Sequence, residues 1–264
     1  MACFAQPGHA PTHPYAFVVR EQPQQQAPPV QRLRIRYAKR GRLRFTSHRD
    51  FSRAFERALV RARVPVAYSS GFNPHPRISY AGASPTGAAS EAEYLEIGMS
   101  AVVDPGQLAA DLDEALPSGL DVLEVVRAGG ASLTDRLEAS LWRTTVDGLT
   151  PERAAEAVAT FLAADEVLVE RMTKKGLRTF DCRAAVVSLG SHACEDRAGE
   201  CAILELVLRH GTPSVRPDDI LAGLRDLAGF ELSAAPLHER LAQGPLDTET
   251  GTVGDPFAHD RDTA

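Results

Sequence analysis

The residues of this chain that could do chemistry are concentrated between Arg32 and Gly87. From Arg32 to Arg77 there are thirteen lysines and arginines but only two acids, a local charge of +11. The whole chain of 264 residues has a net charge of −6, so the remainder of the chain sums to −17. A basic segment on an acidic protein is typical of a surface that binds a polyanion.

Arginines recur at every fourth position from Arg49 to Arg61. In a helix this spacing makes a stripe on the side opposite Phe51 and Phe55. Guanidinium groups match phosphate oxygens, and their binding to nucleic acid releases counterions. The alternative is an ordinary solvated helix face, but further arginines on the preceding strand favour the polyanion site. The arginines predicted to contact nucleic acid here are Arg34, Arg36, Arg49, Arg53, Arg57 and Arg61.

A loop with the sequence SSGFNPHP follows at residues 69–76. Gly71 permits a positive φ, and the two prolines hold the residues before them extended. This would fix the polar side chains at low entropic cost, and the phenylalanine could stack on a base. The alternative is a structural turn with Phe72 in the core and His75 capping a strand. This segment adds Phe72, Asn73, His75 and Arg77 to the predicted nucleic-acid-binding residues.

Two other segments give weaker signals. The sequence TKKGLRTFDCR predicts a basic hairpin that turns near Gly176. It could extend the positive surface through Lys174, Lys175 and Arg178. The loop GASPTG at residues 82–87 offers amides to a phosphate, although it matches no Walker pattern.

Histidines and cysteines suggest alternative chemistries. Because imidazole titrates near neutrality, His48 and His75 are candidates for acid–base catalysis of RNA cleavage. The binding surface is the stronger signal, so we do not expect an enzyme. A zinc site could use His192, Cys182, Cys194 and Cys201. No Cys-x-x-Cys pair is present, however, so neither a metal nor a cofactor is expected. The cysteines also fit no disulfide framework, which predicts a reducing cytoplasm.

Periodicity predicts the elements that position these residues. The alternation in RLRIRYA indicates a strand, and apolar residues spaced three and four apart from Phe51 indicate a helix capped by Ser47. Asp104 and Thr150, each followed by a proline, are the predicted caps of two further helices. The order β-α-β-β-α-β results, and the second half repeats it more loosely. The predicted fold class is α+β, with two ferredoxin-like (split βαβ) halves packed together. The predicted boundaries are 1–30 for a disordered leader, 31–130 and 131–242 for the halves, and 243–264 for a disordered acidic tail. No apolar run approaches the roughly 20 residues of a membrane span, so no membrane partner is expected.

The runs FTSHRDFSRAFERALVRARVPVAYSSGFNPHPRISYAGASPTG and HERLAQGPL resemble the radical-SAM-linked family of bacterial proteins, a domain of unknown function. The resemblance covers residues 31–245, and GFNPHP is its specific core. Members of that family occur fused to, or encoded beside, radical-SAM proteins. In actinobacteria the gene commonly neighbours a ribonuclease of the E/G type. The resemblance therefore implies a setting of RNA modification or maturation.

The chain itself has no run of three closely spaced cysteines, which a radical-SAM enzyme needs to hold its [4Fe–4S] cluster. It is therefore expected to accompany such an enzyme rather than to be one. The favoured function is an RNA-binding accessory module, with tRNA or rRNA as the partner. The alternatives are a protein–protein adaptor for a radical-SAM enzyme and an RNA-processing enzyme that uses His48 and His75.

Overall fold

The computed structural model of the protein describes residues 25–173, 176–195 and 200–262. It has a mixed α+β fold in which five helices surround a core made mainly of sheet. The elements of the first half are β1 (Gln31–Lys39), α1 (His48–Arg61), β2 (Ile78–Ala81), β3 (Ala89–Met99), α2 (Pro105–Ala115) and β4 (Val122–Arg127). Those of the second half are β5 (Ala139–Asp147), α3 (Pro151–Ala163), β6 (Leu168–Thr173), β7 (Gly176–Asp181), β8 (Val186–Ala193), β9 (Cys201–Arg209), α4 (Pro217–Ala228), β10 (Leu237–Gly244) and α5 (Ala258–Asp262).

One sheet of eight strands crosses both halves, in the order β4-β1-β3-β10-β5-β9-β8, with β2 also paired to β3. The strand that joins the halves is β10. It pairs antiparallel with β5 and, over Glu239 and Arg240, parallel with Ala89 and Ser90 of β3. Strands β6 and β7 form a separate hairpin. No sequence pattern predicts β10, so the continuity of the sheet is visible only in the structure.

The helices begin where the capping residues predict. The hydroxyl of Ser47 accepts a hydrogen bond from the amide of Asp50, and the side chains of Asp104 and Thr150 cap α2 and α3 in the same way. These caps satisfy amides that have no partner within the helix. Among the described residues, no helix is long and apolar enough to cross a bilayer.

Each pair of helices covers its own half of the sheet. Helices α1 and α2 pack on side chains such as Leu33, Ile35 and Leu95, and the second core contains side chains of α3, α4 and Trp142. Arg240 of β10 lies between the two cores, since its guanidinium bonds Glu93 of β3 and lies over the ring of Trp142. Buried charged side chains therefore lie between the two cores.

The prediction of a disordered tail over residues 243–264 is wrong for residues 243–262. Leu246 forms a bridge with Val253, and Phe257 of the segment before α5 is completely buried. Asp260 of α5 is also 0% exposed and forms ion pairs with Arg34 and Arg136. The acidic composition of this segment suggested disorder, but the carboxylate of Asp260 neutralises arginines on the face of the sheet opposite α1 and α2. Most of the predicted leader, residues 1–24, lies outside the described residues.

Gly223 of α4 packs closely in the second core, and a larger side chain there tests that packing. A Cβ on Gly223 would lie 2.8 Å from Val167 and 3.2 Å from Phe161 and from Cys182. We expect Gly223→Val to lower the free energy of unfolding by about 2 kcal/mol, because added volume in a packed core forces its neighbours apart. Urea denaturation would measure the loss. Gly190→Val in β8 is the control, since a Cβ there meets nothing within 4 Å. An equal loss in both variants would contradict this account of α4.

Candidate functional site

The arginine stripe of α1 is on the protein surface, as the sequence predicts. Phe51, Phe55 and Leu59 are buried against the sheet, and Arg49, Arg53, Arg57 and Arg61 are exposed on the other side of the helix. Four residues of helix advance by about 6 Å, so the stripe from Arg49 to Arg61 is about 18 Å long. Within the described part of the chain, none of these four arginines forms an ion pair. Their charges are therefore available to a ligand.

The loop at residues 69–76 lies beside the C-terminal part of α1. The amide of Ser69 bonds the carbonyl of His75, the amide of His75 bonds the Ser69 hydroxyl, and Arg77 donates to the carbonyl of Tyr68. A cavity of about 420 Å³ separates the loop from α1 and is lined by Val60, Tyr68 and His75. The side chain of Phe72 is 63% exposed, so the alternative that places it in the core is wrong. Asn73 and His75 are exposed as well.

Two of the predicted arginines are not on this surface. Arg34 is 2% exposed and bonds both carboxylate oxygens of Asp260, at 3.0 and 2.8 Å. Arg36 is half-buried and donates to the carbonyl of Glu91 at 2.8 Å. Strand β1 alternates, and Leu33 and Ile35 face α1 and α2, so both arginines face the opposite side of the sheet. We therefore remove Arg34 and Arg36 from the predicted binding surface.

The second basic cluster belongs to the other half. Lys174 and Lys175 lie outside the described residues. Arg178 is exposed on β7, opposite Arg171 of β6, and the hairpin of β6 and β7 packs near α4. The hairpin therefore lies against the second half of the protein.

His48 and His75 line different cavities, one at each end of α1. The ring of His48 packs edge-on against Tyr80, with ring centroids 4.8 Å apart. His75 lies in the loop beside the C-terminal part of the helix. A shared acid–base mechanism needs both groups within hydrogen-bond reach of the same scissile phosphodiester, and separate cavities do not provide that.

Cys194 and Cys201 form a disulfide that closes the turn between β8 and β9. The prediction that the cysteines form no disulfide is therefore wrong for this pair, and their sulfurs are not available as zinc ligands. Cys182 is free but buried, and burial raises the pKa of its thiol to about 12. It behaves as a small apolar side chain of the second core.

A cavity of about 970 Å³ lies between the two halves and is here called the central cleft. One wall is the loop Gly82–Gly87, the GASPTG segment between β2 and β3. The opposite wall is the connection from β9 to α4, which includes His210 and Arg216. The floor contains Ser140 and Trp142 of β5 and Arg240 of β10. Residues from five separate segments, His48 among them, therefore converge here.

Three buried charged side chains hold the loop Gly82–Gly87 in place. Arg240 donates to the carbonyl of Gly82, Lys39 donates to the carbonyl of Pro85, and Glu93 accepts from the amide of Ser84. The side chains come from β10, β1 and β3, and each residue is 5% exposed or less. Burial lowers the pKa of Lys39. Burial alone would raise the pKa of Glu93, but Arg240, Ser90 and Lys39 together hold that pKa below its ordinary value.

Two side chains of β5, Ser140 and Thr144, bond histidines, of which His210 lines the cleft. His210 donates from Nδ1 to the carbonyl of Leu137 at 2.8 Å, so its Nε2 is the acceptor that faces the Ser140 hydroxyl at 3.1 Å. Burial lowers the pKa of His210, partly offset by the Leu137 bond, and so favours the neutral ring. The second histidine, His238, bonds Thr144 through Nδ1 and Asp218 through Nε2.

The comparisons with known proteins identify a family. The family described as "Uncharacterized protein conserved in bacteria (DUF2344)" matches residues 32–217. The chain belongs to this family. The search of curated proteins finds no match. Among solved structures, "Crystal Structure of an Unknown Protein from Galdieria sulphuraria" is 15% identical, with 80% of this chain and 98% of that chain covered and a TM-score of 0.23.

The matched region of this family contains α1, the loop at residues 69–76 and both walls of the central cleft, but ends before β10. The sequence patterns single out the loop Gly82–Gly87 and His48 but not the other cleft residues, among them Trp142, His210, Arg216 and Arg240. No local pattern marks these four positions, because their proximity depends on the pairing of β10 with β3 and β5.

Proposed function

We propose that this protein is an RNA-binding accessory module that contacts RNA along the outer face of α1. The observation that carries the proposal is the line of four exposed arginines, unpaired within the described residues, that ends beside a loop with exposed aromatic side chains. Arginines along the line neutralise phosphates, and Phe72 and Tyr68 offer faces on which bases stack. The revised surface consists of Arg49, Arg53, Arg57, Arg61, Phe72, Asn73, His75 and Arg77.

We further propose that both halves are ferredoxin-like modules, a scaffold that supports this use of α1. The strand order β4-β1-β3-β2 of the first half and β10-β5-β9-β8 of the second support the proposal, because each gives the same arrangement around its two helices. The hairpin of β6 and β7 is then an insertion in the second half. An RNA setting agrees with the resemblance to the radical-SAM-linked family, in which a radical-SAM enzyme would be a protein partner in the cytoplasm.

The salt dependence of binding tests the RNA surface. We expect Arg53→Gln combined with Arg57→Gln to reduce the slope of log K against log salt by about 1.4, because each lost contact with single-stranded RNA removes about 0.7. Fluorescence anisotropy with a labelled tRNA and with an unstructured RNA, each at several salt concentrations, would measure the slope. Phe72→Ala should weaken binding and leave the slope unchanged, because stacking releases no counterions.

The matched control is Arg153→Gln combined with Arg209→Gln, two exposed arginines of the other half. This variant should bind RNA as the unchanged protein does. No affinity for either RNA at low salt would refute the proposal. Stable copurification of a partner protein without RNA would favour the adaptor function instead.

A further inference from the structure

Hydrogen bonds from buried side chains hold one wall of the central cleft, the loop Gly82–Gly87, in place. Three buried ionisable side chains donate to or accept from the main chain of Gly82, Ser84 and Pro85. Gly82 has a φ of +57°, and a Cβ on it would overlap the side chain of Gln243. Buried charges are costly, and a wall fixed before a ligand arrives lowers the entropic cost of binding.

Two amides and one hydroxyl of this wall have no hydrogen-bond partner among the described residues. Among the described contacts, the amides of Ser84, Gly87 and Ala88 are bonded, whereas the amides of Ala83 and Thr86 are not. The hydroxyl of Ser84 is buried and has no partner among the described residues, a state that is costly unless a ligand satisfies it. Across the cleft, the Arg216 guanidinium has neither an ion pair nor a hydrogen bond within the described residues.

The charges of the cleft do not balance. Lys39, Arg216 and Arg240 are cations, and Glu93 and Asp218 are the carboxylates that line or underlie it. Asp218 is the one acid among the described side chains that line the cleft, and its carboxylate bonds His238. One positive charge is therefore left in excess. An anion that binds in the cleft would offset it.

We propose that the central cleft is a binding site for a phosphate group, held between the loop Gly82–Gly87 and Arg216 and above Arg240. Amides on one side and a guanidinium on the other can bond several oxygens at once, and the terminal oxygens of a phosphate accept such bonds. A cavity of about 970 Å³ also has room for a group attached to the phosphate, such as a nucleoside. The phosphate is carried by a nucleotide or by the 5′ end of an RNA. The site does not depend on the arginines of α1.

Binding of defined phosphate compounds tests this proposal. Isothermal titration calorimetry would be run on the full chain with pyrophosphate, with AMP, and with hexauridylate that does or does not have a 5′-phosphate. We expect saturable binding of at least one phosphate compound, and a stronger affinity for the 5′-phosphorylated hexamer than for its 5′-hydroxyl form if RNA ends are the source. Binding of AMP without that preference would identify the free nucleotide as the source.

Variants then locate the site. Arg216→Gln should weaken phosphate binding by about tenfold, since it removes one charge-assisted contact. Thr86→Pro, which removes an exposed amide, should have a similar effect, and melting temperature would report whether each variant is folded. Arg53→Gln combined with Arg57→Gln should leave phosphate binding unchanged, which separates this site from the RNA surface. The absence of saturable binding by every compound, or binding that folded Arg216→Gln leaves intact, would overturn the proposal.

Discussion

Replacing Asp260 with alanine is expected to lower the free energy of unfolding by about 3–4 kcal/mol, as the loss of one partner from a buried ion pair does. Asp260 is completely buried and bonds Arg34 through both carboxylate oxygens, Arg136, and the amide of Gly129. Alanine would leave two buried guanidinium groups without that carboxylate. Urea denaturation followed by circular dichroism would measure the loss.

Asp262→Ala provides the matched control, since Asp262 belongs to the same short helix and is exposed. It should change the free energy of unfolding by less than about 0.5 kcal/mol, as ordinary surface substitutions do. Asp260→Asn should fall between the two, because it keeps the shape of the side chain and removes its charge. A loss below about 1 kcal/mol in Asp260→Ala would show that the tail does not stabilise the sheet.

Replacing Glu93 with glutamine is expected to destabilise the protein by about 3 kcal/mol at neutral pH, because Arg240 and Lys39 would both remain buried without a carboxylate. The amide of Ser84 would also lose its anionic acceptor. Denaturation with urea would give the stability, and hydrogen exchange of the Ser84 amide would show whether the loop Gly82–Gly87 opens more often.

The pKa of Glu93 predicts how the stability loss of Glu93→Gln changes with pH. The pKa of Glu93 in the folded protein lies below its ordinary value of 4.5, so its charge stabilises the fold above pH 4.5. That contribution is lost as the pH falls below 4.5 and through the folded pKa. The stability difference between the unchanged protein and Glu93→Gln should therefore shrink over that acidic range.

Glu91→Gln is the control for position, because Glu91 is two residues away on the same strand and pairs with the surface residue Arg40. Its expected loss is below about 1 kcal/mol, as is usual for exposed ion pairs. If Glu91→Gln and Glu93→Gln lowered the free energy of unfolding equally, burial of Glu93 with Arg240 and Lys39 would not stabilise the fold.

Local patterns in the sequence were sufficient to predict most helices and strands. Ser47, Asp104 and Thr150 each place a side-chain acceptor before a run of helical periodicity, and α1, α2 and α3 begin there. The outward direction of the arginine stripe follows from the same periodicity, since Phe51 and Phe55 must face the core. These properties depend only on residues close together in the chain.

The errors come from contacts between distant residues. Arg34 alternates with buried leucine and isoleucine, which indicates an exposed face only if nothing covers the other side of the sheet. Asp260, 226 residues later, covers it. Strand β10 was missed because its inward positions hold His238 and Arg240 rather than apolar side chains. Most of the central cleft was missed for the same reason, since β10 supplies Arg240 to its floor and joins the two halves that form it.

The central position of β10 in the sheet affects folding of the chain during its synthesis. A ribosome makes β10 after all nine other strands, yet β10 is the hydrogen-bonded neighbour of both β3 and β5. Until it emerges, the nascent chain has two incomplete sheets, with an open edge along β5 and a short open edge at Ala89 and Ser90 of β3. Open edges recruit strands from other molecules, so newly made chains need protection until β10 has been inserted.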